Sequence, residues 1–264
     1  MDVLEIIKEA IYYPTRDLRG WGIVAAIFLI TGILGQLALL YPDYSSILGV
    51  LSFVVIILLI GINLSIIKST IDGKDEIPMI DLVTNFVDGI KYLIVNIVYF
   101  IIPVIVLFII SIIAGVYNNL GNFLIALNNT NMVNSTPAEV LSAVPTDVMN
   151  SLVGSLAIVA LCALVLFIIF ELFFVIAQAR LADTGDIMDA LNFKTVYSKI
   201  SSIGWGNYIV FILLLLVIIF IVGMISGLIE LIPYIGRIIS SVLADSYLLV
   251  LVSRAIGLIY NEGS

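Results

Sequence analysis

Three ionisable side chains stand inside long apolar runs of the chain: Glu171, Asp245 and Arg254. In hydrocarbon each such charge costs roughly 2.5–3.5 kcal/mol or more, so it marks an ion path, a proton relay or a paired partner. Gln36, Asn63 and Asn96 add neutral donors and acceptors in the same kind of run. One isolated acid makes no ion path, so Asp245 and the amides are read as bonding across helices and holding a bundle together. Glu171 and Arg254 carry a sharper expectation. Glu171 lies eight residues before Ala179, and Arg254 six before Tyr260. At 1.5 Å per residue they stand roughly 12 Å and 9 Å from the ends of their helices, depths that match within a side-chain length, so an ion pair is predicted. The rival reading has Arg254 snorkelling to the headgroups, as Lys68 and Arg180 would.

Other chemistry finds few residues to work with. There is no histidine, which removes the usual general base and the commonest metal ligand. The one cysteine, Cys162, lies in an apolar run and reads as a buried thiol. No nucleophile with a base partner can be assembled, so no catalytic residue, cofactor site or metal site is assigned and an enzyme is not expected. Asp72, Asp75, Glu76 and Asp81 lack the ordered spacing of a calcium loop and read as a solvated face. The net charge of −8 and the absence of a basic patch argue against nucleic acid as a partner.

The elements that position these groups follow from hydropathy. The 264 residues are 62% hydrophobic and only 11% charged, where a soluble domain carries about a quarter charged residues. Six runs meet the requirement of roughly 20 predominantly apolar residues: about Gly22–Tyr41, Ser46–Ile67, Tyr92–Val116, Leu152–Ala179, Tyr208–Ile229 and Ile238–Ile259. Trp21, Tyr41, Tyr44, Tyr92, Tyr117, Trp205, Tyr208, Tyr234 and Tyr260 mark their ends as an aromatic belt. Asp2 to Tyr12 has helical periodicity, with Val3, Leu4, Ile7, Ala10 and Ile11 on one face, and is expected flat on the inner membrane surface with Pro14 ending it. Asp186 to Ile203 reads likewise, with a break near Asn192 and an apolar side of Leu191, Val196, Ile200 and Ile203.

Nine of the eleven basic residues fall in the N-terminal segment, between runs two and three, or between runs four and five; only Arg237 lies on the other side. The positive-inside rule then puts both termini in the cytoplasm. On the outer side, Pro42-Asp43 and Ile232-Pro233-Tyr234 read as tight hairpins, and Asn118 to Asn150 as one long loop. That loop holds a capping box at Thr136-Pro137-Ala138-Glu139, which predicts a short helix, and glycosylation patterns at Asn128 and Asn134. Gly223 and Gly227, and the small residues Gly154, Ala157, Ala160 and Ala163, read as faces of close helix approach.

Several matches recur along the chain. Gly20-Trp21-Gly22 is repeated by Gly204-Trp205-Gly206. Lys68 and Gly73 are spaced as Arg180 and Gly185 are. Met79-Ile80-Asp81 precedes Asn85-Phe86 as Ile187-Met188-Asp189 precedes Asn192-Phe193. These predict a single integral membrane domain over 1–264, built from repeat units 1–68, 69–180 and 181–264, each a surface helix followed by a membrane hairpin. The expected fold class is all-α: a polytopic bundle of six transmembrane helices plus short amphipathic inner-surface helices.

The opening EAIYYPTRD, the connector DGKDEIPMIDLVTNFVDGIKYL and the stretch ARLADTGDIMDALNF resemble a family of archaeal multi-pass membrane proteins, common in methanogens, known as domain of unknown function 4013. The resemblance implies an integral protein of the archaeal cell envelope, with the lipid bilayer as its partner. It implies no activity, ligand or functional residue. Two functions are expected from the residues themselves: a non-enzymatic structural or membrane-organising protein, or else a transporter or channel for a small solute or ion.

Overall fold

The computed structural model describes residues 2–128 and 144–263. Among these, every regular element is helical: α1 Val3–Arg16, α2 Leu18–Leu40, α3 Ser45–Ile71, α4 Leu82–Ile113, α5 Val116–Asn128, α6 Thr146–Thr184, α7 Ile187–Ala190, α8 Phe193–Ile203, α9 Trp205–Glu230, α10 Gly236–Ser240 and α11 Ser246–Glu262. A π-helical turn, Ser241–Asp245, joins α10 to α11 into one rod. Six helices are long and apolar enough to cross a membrane: α2, α3 with the turn before it, α4, α6, α9 and the α10–α11 rod.

The spans run longer than hydropathy alone marks them. The expected third span begins at Tyr92, but α4 starts at Leu82, because Leu82, Phe86, Val87 and Ile90 already keep helical periodicity before the continuous apolar run. Pro14 does not end α1, which continues to Arg16. A proline one turn from a helix end forfeits a single backbone bond, which the final turn tolerates. The outer loop expected from Asn118 is also shorter: Val116 to Asn128 is helical, and α6 begins at Thr146. The small helix expected at Thr136 and the glycosylation pattern at Asn134 lie outside the described residues. The break near Asn192 stands where the sequence puts it, with the Asn192 side chain accepting from Thr195 N to start α8.

Packing divides the chain into two units, residues 1–96 with 172–264, and residues 97–171. In the first unit, α3 and the α10–α11 rod form the centre. Their spans are 39% and 56% buried, against 11% for α2 and α9, whose apolar surface faces outward as lipid contact requires. Tyr13, Val24, Leu59, Ile62, Ile66, Ile77 and Val250 make one buried cluster, with Trp21, Phe28 and Leu249 against it. In the second unit, Phe100 stacks on Phe167 with centroids 5.8 Å apart, and Asn119 Nδ2 donates to Ser151 O at 3.1 Å.

Close approach of helices occurs at glycines other than those singled out by spacing. A Cβ on Gly61 would stand 1.6 Å from Asn85 O, and one on Gly89 would stand 2.0 Å from Ile57 O. α3 and α4 therefore cross backbone to backbone. Asn85 Nδ2 seals the crossing by donating to Gly61 O at 3.2 Å and to Ser65 Oγ. By contrast, a Cβ on Gly154, Gly223 or Gly227 would meet nothing within 4 Å. The expected packing faces of α6 and α9 are open, because small residues permit contact without specifying a partner.

Candidate functional site: a charged knot at one end of the first unit

Arg254 sits on α11 with its side chain 5% exposed. Its guanidinium is held from three directions. Nη1 donates to Lys74 O at 2.6 Å, and Nη2 donates to Asp75 Oδ1 at 2.7 Å and to Glu9 Oε1 at 3.1 Å. The Tyr13 ring lies beneath it, 4.4 Å from ring centroid to guanidinium carbon, a cation–π contact. Glu9 also binds Arg16 at 2.6 Å. The result is an alternating chain Arg16–Glu9–Arg254–Asp75, whose formal charges cancel. Burial pushes the Tyr13 phenol up to about 12, so it is neutral at physiological pH. Among the described residues, Tyr13 Oη and Arg254 Nε are buried without a hydrogen-bond partner.

The fold delivers these groups from three distant parts of the chain. α1 buries Val3, Ile6, Ile7, Ala10 and Tyr13 and packs along α11. Leu4, expected on that face, is exposed instead. Tyr247 Oη donates to Ile11 O at 2.7 Å and fixes the register. The connector between α3 and α4 is pinned by Asp17, whose two carboxylate oxygens accept from Gly20 N and Ile77 N at 2.9 Å and 3.0 Å. Asp81 then accepts from Val83 N and Thr84 N to start α4, and its hydrogen bonds with Thr84 and Val83 hold its carboxyl below the usual carboxylate range. The connector acids are thus not merely a solvated face: Asp75 and Asp81 both have structural work.

The second connector, between α6 and α9, is tied to the same helix. Tyr260 Oη donates to Asp183 Oδ2 at 3.1 Å, Lys199 Nζ lies 4.1 Å over the Tyr260 ring, and Ser202 Oγ donates to Gly263 O at 2.9 Å. Asn261 Nδ2 reaches back to Ile71 O at 3.2 Å, at the end of α3. α1, both connectors and the end of α11 therefore form one bonded plate. The recurrent sequence matches serve different ends within it. Trp21 Nε1 donates to Ser246 Oγ at 2.9 Å, whereas Trp205 packs on Tyr197 and Phe173 and follows Gly204, whose φ of 91° turns α8 into α9.

Of the three intramembrane candidates, Asp245 and Arg254 belong to the first unit and Glu171 to the second. Arg254 takes carboxylates from Glu9 and Asp75, which α1 and the folded-back connector deliver from outside the apolar runs. Glu171 is exposed on α6. Asp245 is half-buried at the end of the π turn. The amide Asn63 does bond across helices: it accepts from Ser253 Oγ at 2.6 Å and donates to Gln178 Oε1 at 3.4 Å, joining α3, α11 and α6. Sequence reading does not single out Glu9, Tyr13 and Asp17; a lone arginine near the end of an apolar run, with acids in the connectors at that end, is the signal that points to such partners.

A model of a protein family of unknown function, DUF4013, matches residues 44–231 of the chain. No curated protein and no solved structure matches it.

Proposed function

Because the chain belongs to the DUF4013 family, described only as proteins of unknown function, we propose a role from its own geometry: a non-enzymatic, membrane-organising protein of the archaeal cell envelope, with both termini and the bonded plate on the cytoplasmic side. The observation that carries this reading is the plate itself. It holds α1 and both connectors rigidly at one end of the first unit while exposing Met79, Leu82, Val83, Met188 and Tyr197 at its margin. Apolar side chains on a rigid interfacial frame insert into the headgroup layer and spread it. The polar groups Asn63, Gln178 and Ser253 are spent on one another, as a bundle held for shape requires. Ten of the eleven basic residues, all but Arg237, sit in the plate or in the segments leading to it, which favours the cytoplasmic side.

A second reading, a transporter or channel, draws support from Asp245, since π turns inside helices often accompany function. Reconstitution separates the two. Rising protein-to-lipid ratio is expected to change vesicle diameter, seen by electron cryomicroscopy, while a trapped dye and an ion gradient are retained. Met79→Gln with Val83→Gln is expected to remove the change in diameter. Vesicles of unaltered size that release the gradient would overturn the organising role in favour of transport.

A further inference from the structure

The hairpin that joins α9 to α10 stands at the end of the first unit away from the plate. From Leu231 to Gly236 it has no charged residue; Glu230 and Arg237 bracket it. Its backbone is tight. Ile235 N donates to Pro233 O at 2.8 Å, which closes a three-residue turn around Tyr234, and Gly236 N donates to Ile232 O at 3.0 Å. Tyr234 has a φ of 66°, the one positive φ outside glycine among the described residues. A turn of this hand is rare and strained, and bulky residues avoid it. Glycine or asparagine would form it at lower cost, and a turn that stands in water is usually rich in such residues. Here the strained backbone holds a tyrosine that is 73% exposed, with Leu231, Ile232 and Ile235 exposed beside it. Four large apolar side chains on one short turn form a patch that requires a partner.

The patch is continuous with surface that faces lipid. Phe220, Met224 and Leu228, one turn apart along α9, are all exposed and lead directly to Leu231. The other hairpin of the first unit lies close by: Arg237 Nη1 donates to Gly35 O at 3.3 Å, and a Cβ on Gly32 would stand 3.0 Å from Ile238 Cα. That hairpin carries Tyr41 and Tyr44, both exposed. Tyrosine, with an apolar ring and a polar hydroxyl, fits the boundary between hydrocarbon and water. We propose that the α9–α10 hairpin is an interfacial anchor lying within the lipid headgroup layer, with Leu231, Ile232 and Ile235 against the acyl chains and the Tyr234 hydroxyl toward water. The strain at Tyr234 keeps a ring at the tip of the turn, where a smaller residue would form the same turn without the anchor. The proposal rests on the reading of six membrane spans, and not on which side of the membrane holds the plate.

The test uses the full chain in phosphatidylcholine nanodiscs, whose two faces are both open to a dissolved quencher. In a Cys162→Ser background, Leu231→Cys and Tyr234→Cys each carry an environment-sensitive fluorophore. Leu231 has an ordinary φ of −66° and an exposed side chain, so its substitution leaves the turn intact. At both positions the emission is expected to shift to the blue, with strong quenching by lipids brominated near the headgroup and little quenching by iodide. Tyr234→Asn, which accepts the positive φ without the ring, is expected to raise iodide quenching at Leu231→Cys; unchanged quenching would overturn the part assigned to Tyr234. Failure of the chain to enter nanodiscs overturns the membrane reading and the anchor with it. Iodide quenching as strong as for the dye free in buffer puts the turn in water and overturns the anchor while leaving the spans intact. Protection from both quenchers means that protein, a second copy of this chain included, covers the turn, and overturns the anchor equally.

Discussion

Glu9→Leu is expected to lower the melting temperature of the purified protein by roughly 10 °C, more than any other single charge removal in the chain. Arg254 is nearly inaccessible to water, and a buried guanidinium stripped of its carboxylate costs about 3–5 kcal/mol. Glu9 is 18% exposed, so its attraction to Arg254 is weakly screened; Asp75 is 82% exposed, and Asp75→Asn should cost about 1 kcal/mol or less. Losing Glu9 also leaves Arg16 and Arg254 with no acid between them. Adding Arg254→Met to Glu9→Leu should recover a large part of the stability, since an apolar side chain of similar volume needs no partner. Thermal unfolding in detergent of the four proteins in this cycle measures the coupling. Additive effects would show that Glu9 and Arg254 act independently and that the knot is not a unit.

Gly61→Ala is expected to be more severe, with little folded, monodisperse protein recovered. The added methyl would stand 1.6 Å from Asn85 O, far inside contact distance of a backbone atom that no rotamer change can move. α3 and α4 must separate, and the separation breaks the Asn85 bonds to Gly61 O and Ser65 Oγ as well. Overpacking of this kind costs typically about 1–3 kcal/mol, and more where backbone meets backbone. Gly89→Ala, against Ile57 O, should behave the same way. Gly223→Ala and Gly227→Ala are the controls: nothing stands within 4 Å, so the better helix propensity of alanine makes them neutral or slightly stabilising. Size-exclusion profiles and melting curves of the four variants check the contrast. Equal tolerance of Gly61→Ala would contradict the crossing.

That contrast also shows where the sequence was legible. A run of apolar residues states its environment directly, so six helices could be read, as could the break at Asn192, whose side chain caps its own helix. Local signals of this kind carry their own geometry. Neighbour relations do not. Gly61 and Gly89 carry no spacing that marks them, because the groove each provides is completed by a different helix. Gly223 and Gly227 have the spacing, yet no atom of the described residues comes close enough to use it. Arg254 shows the same limit: depth along a helix locates its charge, but Glu9 and Asp75, which hold it, lie 245 and 179 residues away, in a surface helix and a connector that hydropathy treats as solvated. Asn63 was legible as a cross-helix bond, since an amide in an apolar run must find a partner, yet Ser253 and Gln178 could be named only from coordinates.

The proposed arrangement, six helices spanning a membrane with the bonded plate on the inner face, is tested most directly by cysteine accessibility in intact cells. Cys162→Ser provides the background, with Asn131→Cys between α5 and α6 and Lys194→Cys on the exposed side of α8. A membrane-impermeant maleimide should label Asn131→Cys in intact cells and Lys194→Cys only after lysis. Labelling of Lys194→Cys from outside, with Asn131→Cys protected until lysis, would contradict the account.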